Sequence, residues 1–124
     1  MILGLGVDLC SIPRMEKAAR SSYFVKRLFR PAEIAYADGK GKDRVASFAA
    51  AFAAREAFAK ASGISLFTLT LSSHFCLERR SGVPHLVIPS DLDADFSAGK
   101  KRAWVSLSHE GDYVVAVVAI EAML

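Results

Sequence analysis

The chain has 124 residues and a mass of 13.4 kDa, with 16 Lys and Arg against 13 Asp and Glu, a formal charge of +3 and a pI near 9.0. At 52% hydrophobic residues, with eight glycines and four prolines, it is neither a disordered chain nor a collagen-like one. A mean hydropathy of +0.28 is high for so small a domain, whose surface is large relative to its core, and a homo-oligomer would bury the surplus.

Residues 2–8 form an apolar run with two glycines, read as a buried strand ending at the carboxylate of Asp8. Ser11 can cap a helix with Pro13 in its first turn, running to about residue 20. Residues 23–29 read as helical, and Pro31 opens a further short helix to residue 36. Residues 39–42 are a polar loop. Asp43 then caps the clearest helix of the chain, 44–62, rich in alanine and stopped by Gly63.

Residues 66–71, 74–78 and 84–88 read as strands, the last two joined by a turn around Arg80, Ser81 and Gly82. Residues 90–98 suggest a short helix capped by Ser90 and ended by Gly99. Residues 104–108 and 113–121 pair as a hairpin across Glu110, Gly111 and Asp112. No repeat or linker interrupts the pattern. The expectation is one α+β domain over residues 1–124, with the long helix packed on an antiparallel sheet.

No apolar stretch approaches the roughly 20 residues that a spanning helix needs. The apolar start lacks a basic lead and is cut short by Asp8, so neither a secretory leader nor membrane attachment is expected. Cys10 and Cys76 make neither a disulfide framework nor a zinc site, and two buried or half-buried thiols in a reducing cytoplasm are expected.

Charge is uneven. Residues 1–62 carry a net +5 and residues 63–124 a net −2. Arg14, Lys17, Arg20, Lys26, Arg27 and Arg30 cluster within seventeen positions, opposed only by Glu16. Such a face suits an acidic partner or is simply solvated. A nucleic acid would call for more interleaved aromatics than Tyr23, Phe24 and Phe29. A non-enzymatic module that binds acidic proteins would use the basic face but would not need the carboxylates described next.

On the long helix, Val45, Phe48, Phe52 and Ala59 fall on one stripe, and Glu56 lies near its middle. A carboxylate there must be paired or bind a metal, because burying it alone is costly. It is read either as a ligand or as the i,i+4 partner of Lys60. Asp8 likewise interrupts an apolar strand, and is either a metal ligand at the strand's end or a turn residue before Ser11. Two carboxylates suit Mg²⁺, which keeps waters and completes its shell with phosphate oxygens. His109 ends the run Val105–His109 on the face of Val105 and Leu107, the pattern of a satisfied half-buried residue more often than of a functional one. Trp104 reads as a packing residue.

Three segments together resemble one family. Ile2 to Leu9 with Arg14 resembles its first motif, G-x-G-x-D before a basic helix. Phe52 to Ala61 resembles its second, F-x-x-K-E-A-x-x-K-A. Val105 to His109, before an apolar strand ending in Glu121, resembles its third. The family is holo-acyl-carrier-protein synthase, the small trimeric 4′-phosphopantetheinyl transferases, and the resemblance spans nearly the whole chain. It implies their fold, and Mg²⁺-dependent transfer of 4′-phosphopantetheine from coenzyme A to a serine of apo-acyl carrier protein in fatty acid biosynthesis, with adenosine 3′,5′-bisphosphate released.

By that resemblance Asp8 and Glu56 match the metal ligands, and Glu56 and Lys60 the catalytic pair. Lys60 lies beside the coenzyme A phosphates. His109 lies near the nucleotide, contributed across a subunit interface of a homotrimer. Arg14, Lys17, Arg20, Lys26 and Arg27 match the carrier-docking surface. The base for the serine hydroxyl stays open between Glu56 itself and a water that it orients. Arg55 stands where the family has Lys, and is expected at the coenzyme A. Ala51 stands where the family has Arg, and Arg44, two turns earlier, is the expected compensating contact. The stretch Gly63-Ile64-Ser65 is shorter in glycine than the family's loop.

Overall fold

A computed structural model describes residues 1–72 and 74–124. Strand β1 (Ile2–Ser11) leads into α1 (Ile12–Ala19), α2 (Ser22–Leu28) and α3 (Pro31–Asp38). A 3₁₀ turn, Gly41–Asp43, precedes the long helix α4 (Arg44–Ser62). Then come α5 (Leu66–Leu71), β2 (Cys76–Arg80), β3 (Val83–Val87), α6 (Ala94–Ser97), β4 (Lys101–Glu110) and β5 (Tyr113–Ala122). Strands β1, β5 and β4 form one antiparallel sheet in that order, and β2 pairs with β3 in a separate hairpin. The expected α+β architecture, a long helix packed on an antiparallel sheet, is the one observed.

Local chemistry explains most boundaries. The Ser11 hydroxyl accepts from the Arg14 amide at 3.3 Å and Pro13 sits in the first turn, so α1 starts where the cap demands. Gly63 adopts φ +78° and its amide donates to Ala59, which ends α4 in a left-handed cap. Asp43 holds the N-cap position of α4 but not by its side chain: its backbone carbonyl accepts from the Ser47 hydroxyl at 3.0 Å.

Four expectations are corrected. Residues 66–71 are a helix, not a strand. The period-two alternation of Leu-Phe-Thr-Leu-Thr-Leu is overridden by the Ser65 hydroxyl, which caps the Thr68 amide at 3.1 Å. Thr70 adds a bond to the Leu66 carbonyl, and only Leu69 of the helix is buried. Strand β1 runs on to Ser11, so Asp8 lies within the strand rather than at its end or in a turn. The helix expected over 90–98 shrinks to α6, capped by Asp93 instead of Ser90, because the chain first turns at the Pro89 carbonyl. The first hairpin's strands shift by one or two residues, leaving His74 outside β2, and those of the second lengthen, with β4 starting at Lys101.

Helix α4 is the core. Its alanines and phenylalanines Phe48, Ala49, Ala50, Ala51, Ala53, Ala54, Ala57 and Phe58 are buried around most of the helix, because the sheet covers one side and α1, α3 and β2 cover others. The stripe picked out by phenylalanine spacing is mixed: Phe48 is buried, whereas Val45, Phe52, Glu56 and Ala59 are each only half-buried. The sheet's inner face supplies Val114, Ala116, Val118 and Ile120. Gly4 and Gly6 of β1 lie against the backbone of α4: a Cβ at Gly6 would sit 2.0 Å from the Ala57 carbonyl, and one at Gly4 1.8 Å from that of Ala61. Strand and helix backbones can approach this closely only because neither glycine has a side chain.

The other face of the sheet is uncovered. Leu5 and Leu9 of β1 are 68% and 61% exposed, beside Leu3, Val7, Tyr113 and Val117. Trp104 belongs to this open face rather than to the core: Arg102 stacks on its ring and its indole N–H donates to Glu121 at 3.0 Å. Cys10 is buried and Cys76 half-buried, and both thiols are free.

Candidate active site

The glycine seam brings two carboxylates together. Along β1 the inner face reads Gly4, Gly6, Asp8, Cys10, so Asp8 turns toward α4 two residues beyond the seam. On α4, Glu56 precedes Ala57, the residue under Gly6. Asp8 and Glu56 line one cavity of about 410 Å³ with Cys10, Arg14, Phe24 and Phe52. Its apolar wall comes from α1, α2 and α4, and Arg14 of α1 also lines it.

Glu56 responds to this setting. Burial, followed by the Asp8 charge, pushes its carboxyl above the ordinary glutamate value, and Lys60 offsets part of the rise. The expected i,i+4 pair with Lys60 is not what forms. The Lys60 ammonium crosses to β1, donating to the Val7 carbonyl at 2.9 Å and to Asp8 Oδ1 at 3.3 Å. Two carboxylates lining one cavity, one of them pushed up by the other's charge, are a fit for a small hard cation, since a divalent ion replaces repulsion by attraction. No group of three or more His, Cys, Asp or Glu forms a metal cluster among the described residues.

His109 is exposed rather than half-buried, because the sheet's inner face runs out of cover at that end of β4, and it does not join this cavity. It shares a cross-strand row with Val114 and Cys10, two strand spacings from β1, and lines a second cavity of about 220 Å³. That cavity touches Ser47 and Ala50 on the flank of α4 opposite Phe52 and Glu56. Around it stand Tyr36, Lys40 and Arg79, with the two cations over the Tyr36 ring at 4.8 and 4.7 Å. Spacing in sequence carried no sign of this cluster, whose members come from three elements and a loop.

Two expected coenzyme contacts lie elsewhere. Arg55 is a core residue, 0% exposed. Its guanidinium forms a two-pronged bond with Glu33, one prong at 2.7 Å, donates to the Ala51 carbonyl, and lies against the rings of Phe29 and Phe75. A group so enclosed cannot reach a surface ligand, which corrects its assignment to coenzyme binding. Arg44 is tied to Asp38 at 2.7 Å and stacks on Phe48. It lies about 18 Å along α4 from Glu56, too far to fill in at the same cavity.

Sequence reasoning missed Glu33. Its carboxylate also accepts from the amides of Arg30 at 2.8 Å and Leu77 at 3.0 Å, tying α3, α4 and β2. The capping-box position behind Pro31 was the only local hint. Of the basic cluster, Arg14, Lys17, Arg20, Lys26 and Arg27 are exposed on α1 and α2, with Glu16 paired to Arg20 at 3.7 Å. Arg30 is not part of that surface: it is half-buried and donates to the carbonyls of Arg27, Leu28 and Thr70. No helix among the described residues is long and apolar enough to cross a membrane.

The chain is similar in sequence and fold to known proteins. The 4′-phosphopantetheinyl transferase superfamily matches residues 4–118. The chain is 39% identical, over 127 aligned positions covering 98% of it and 97% of the relative, to a holo-[acyl-carrier-protein] synthase from Anaeromyxobacter dehalogenans strain 2CP-1. It superposes with a TM-score of 0.83 and 30% identity on the crystal structure of the holo-[acyl-carrier-protein] synthase from Neisseria meningitidis, covering 98% of this chain and 99% of that one. A Bacillus anthracis holo-(acyl-carrier-protein) synthase, crystallised in complex with CoA (3′,5′-ADP), matches at TM-score 0.77 and 28% identity, with 99% of each chain covered.

Proposed function

Since this chain belongs to the holo-acyl-carrier-protein synthase family of 4′-phosphopantetheinyl transferases, we propose that the Asp8–Glu56 cavity is its transfer site. The enzyme moves 4′-phosphopantetheine from coenzyme A to a serine of apo-acyl carrier protein and releases adenosine 3′,5′-bisphosphate. The observation that carries the site is the pairing of two interior-facing carboxylates in one cavity, which Arg14 of the basic helix also lines.

The residues divide the work as follows. Asp8 and Glu56, which line the cavity together, would hold Mg²⁺. When bound, that ion supplies a Lewis acid for the transferred phosphoryl group and for the charge on the leaving phosphate. Lys60 adds a movable cation for the coenzyme phosphates. Glu56 takes the serine proton directly or through a water that it orients. Phe24 and Phe52 limit water at the reacting centre. Phosphoryl transfer is mostly positioning and electrostatics, so this set suffices.

The exposed cations of α1 and α2, Arg14, Lys17, Arg20, Lys26 and Arg27, receive the acidic carrier, and Arg14 links that face to the cavity. His109, with Lys40 and Arg79 close by, takes the nucleotide end of coenzyme A. Because α4 separates His109 from Glu56 within one chain, the complete site is shared between subunits of a homotrimer, joined through the uncovered apolar face of the sheet. We place the enzyme in the cytoplasm, serving fatty acid biosynthesis, with residues 1–124 as one transferase domain.

The test is to incubate the chain with coenzyme A and apo-acyl carrier protein and to weigh the carrier by mass spectrometry. The carrier should gain one 4′-phosphopantetheine with Mg²⁺ present and none with chelator. Glu56→Gln should fold and lose the transfer. Near-normal transfer by that variant at saturating Mg²⁺ removes Glu56 from the metal site.

A further inference from the structure

We propose that Lys60 is an internal stand-in for the metal: its ammonium holds Asp8 while the divalent ion is away, and gives Asp8 up when the ion binds. This rests on the reading of Asp8 and Glu56 as the metal ligands.

Lys60 departs from ordinary helix pairing. Lys60 follows Glu56 by four residues on α4, the spacing at which a Glu and a Lys ordinarily pair on a helix. The ammonium instead reaches across the glycine seam to the Val7 carbonyl at 2.9 Å and Asp8 Oδ1 at 3.3 Å. Gly4 and Gly6 make this possible, because they bring β1 within reach of Ala57 and Ala61 and so of Lys60 between them. The two partners differ in freedom. The Asp8 side chain is 17% exposed and fixed on the strand, whereas the Lys60 side chain is 56% exposed. The lysine is therefore the mobile member.

Charge sets the direction of the exchange. Asp8, Glu56 and Lys60 sum to −1. A divalent ion on the two carboxylates brings the sum to +1 and repels the ammonium from Asp8. A lysine, with a compact charge on a flexible four-carbon stem, can leave without disturbing the helix. The released ammonium is then free for a phosphate oxygen of the substrate. One cation thus serves the carboxylate before metal binding and the phosphate after it. Metal and phosphoryl ligand favour each other through Lys60.

The probe is Mn²⁺, titrated by electron paramagnetic resonance at low ionic strength into the wild-type protein and its variants. Removing a competing ammonium should tighten binding, so Lys60→Gln should bind Mn²⁺ about three- to fivefold more tightly, the range set by an exposed ion pair. Lys60→Arg, which keeps the charge and a donor, should stay within about twofold of wild type. Arg14→Gln removes a cation from the same cavity that does not bond Asp8, and should shift affinity by less than Lys60→Gln does. In parallel, the side-chain ammonium resonance of Lys60 should move from a hydrogen-bonded to a free position as Mg²⁺ is added.

The outcomes separate the two layers of the argument. If Asp8→Asn and Glu56→Gln bind Mn²⁺ as well as wild type, the metal reading itself fails. If both lose Mn²⁺ but Lys60→Gln binds no tighter than Arg14→Gln, or the Lys60 ammonium does not respond to Mg²⁺, the metal reading stands and the exchange is refuted.

Discussion

Glu56 is where burial and chemistry collide most directly. Its carboxyl is pushed up first by burial and then by Asp8, so folding favours its protonated form. The sign of the pH effect follows by linkage. A group with a raised folded pKa contributes stability that is full below its unfolded pKa and is lost as the pH rises through the folded one. In chelator, Glu56→Gln should therefore melt above wild type at about pH 7.5, and the gain should vanish near pH 4, about the unfolded pKa. Melting curves at the two pH values decide it; a gain of equal size at both would show that charge is not its cause. The anomaly that marked this residue, a carboxylate among phenylalanines, was legible from spacing alone. That Lys60 answers Asp8 rather than Glu56 was not, because the contact spans 52 residues and exists only through the β1–α4 seam.

Elements meet at two junctions that fix the cavity. At the first, β1 rests on α4 through Gly4 and Gly6. Gly6→Ala would drive a methyl to 2.0 Å from the Ala57 carbonyl, and strand and helix must part. Overpacking of this kind costs about 1–3 kcal/mol. Chemical denaturation should show that loss, and transfer activity should fall further than stability does, because Asp8 moves with the strand. Activity that merely tracks the folded fraction would mean the seam does not position Asp8.

At the second junction, Glu33 and Arg55 join α3, α4 and β2 inside the core. Glu33→Ala leaves a buried guanidinium without its partner and should cost about 3–5 kcal/mol by urea unfolding. The double replacement Glu33→Leu with Arg55→Met removes both charges and should cost less than Glu33→Ala alone. Arg55 illustrates how a motif can mislead: its position beside Glu56 suggested a ligand, yet neighbours on a helix point about 100° apart, and here one faces the cavity while the other faces the core.

At the scale of the molecule, the sheet has one face covered by α4 and one bare. Leu5 at 68% exposure sits in the apolar row Leu3, Leu5, Val7, Leu9, which alternates with the glycines and Asp8 of the inner face. Leu5→Lys should leave the monomer's core intact while blocking association. On the proposed trimer with a shared site, sedimentation should report a shift from trimer to monomer, and transfer should fall with it. A wild-type chain that sediments as a fully active monomer refutes the shared site.

Composition had already registered that bare face as surplus hydropathy, and motif order along the chain was enough to place the family. Caps and stops were legible as well: Ser11, Pro13 and Gly63 act through neighbours within four residues, and their sequence signals bound α1 and α4 as expected. What depended on contact between distant segments was not. The strand-like alternation of residues 66–71 gave way to a serine cap, and β1 ran three residues past Asp8 because β5 offered it partners as far as Tyr113. Ionised side chains were the hardest to place, since a charge is settled by whichever opposite charge the fold brings near. Glu33 took Arg55 into the core, Asp8 took Lys60, and Glu56 stayed at the cavity. Periodicity can say which side of a helix a residue occupies, but only the packed structure decides what stands opposite it.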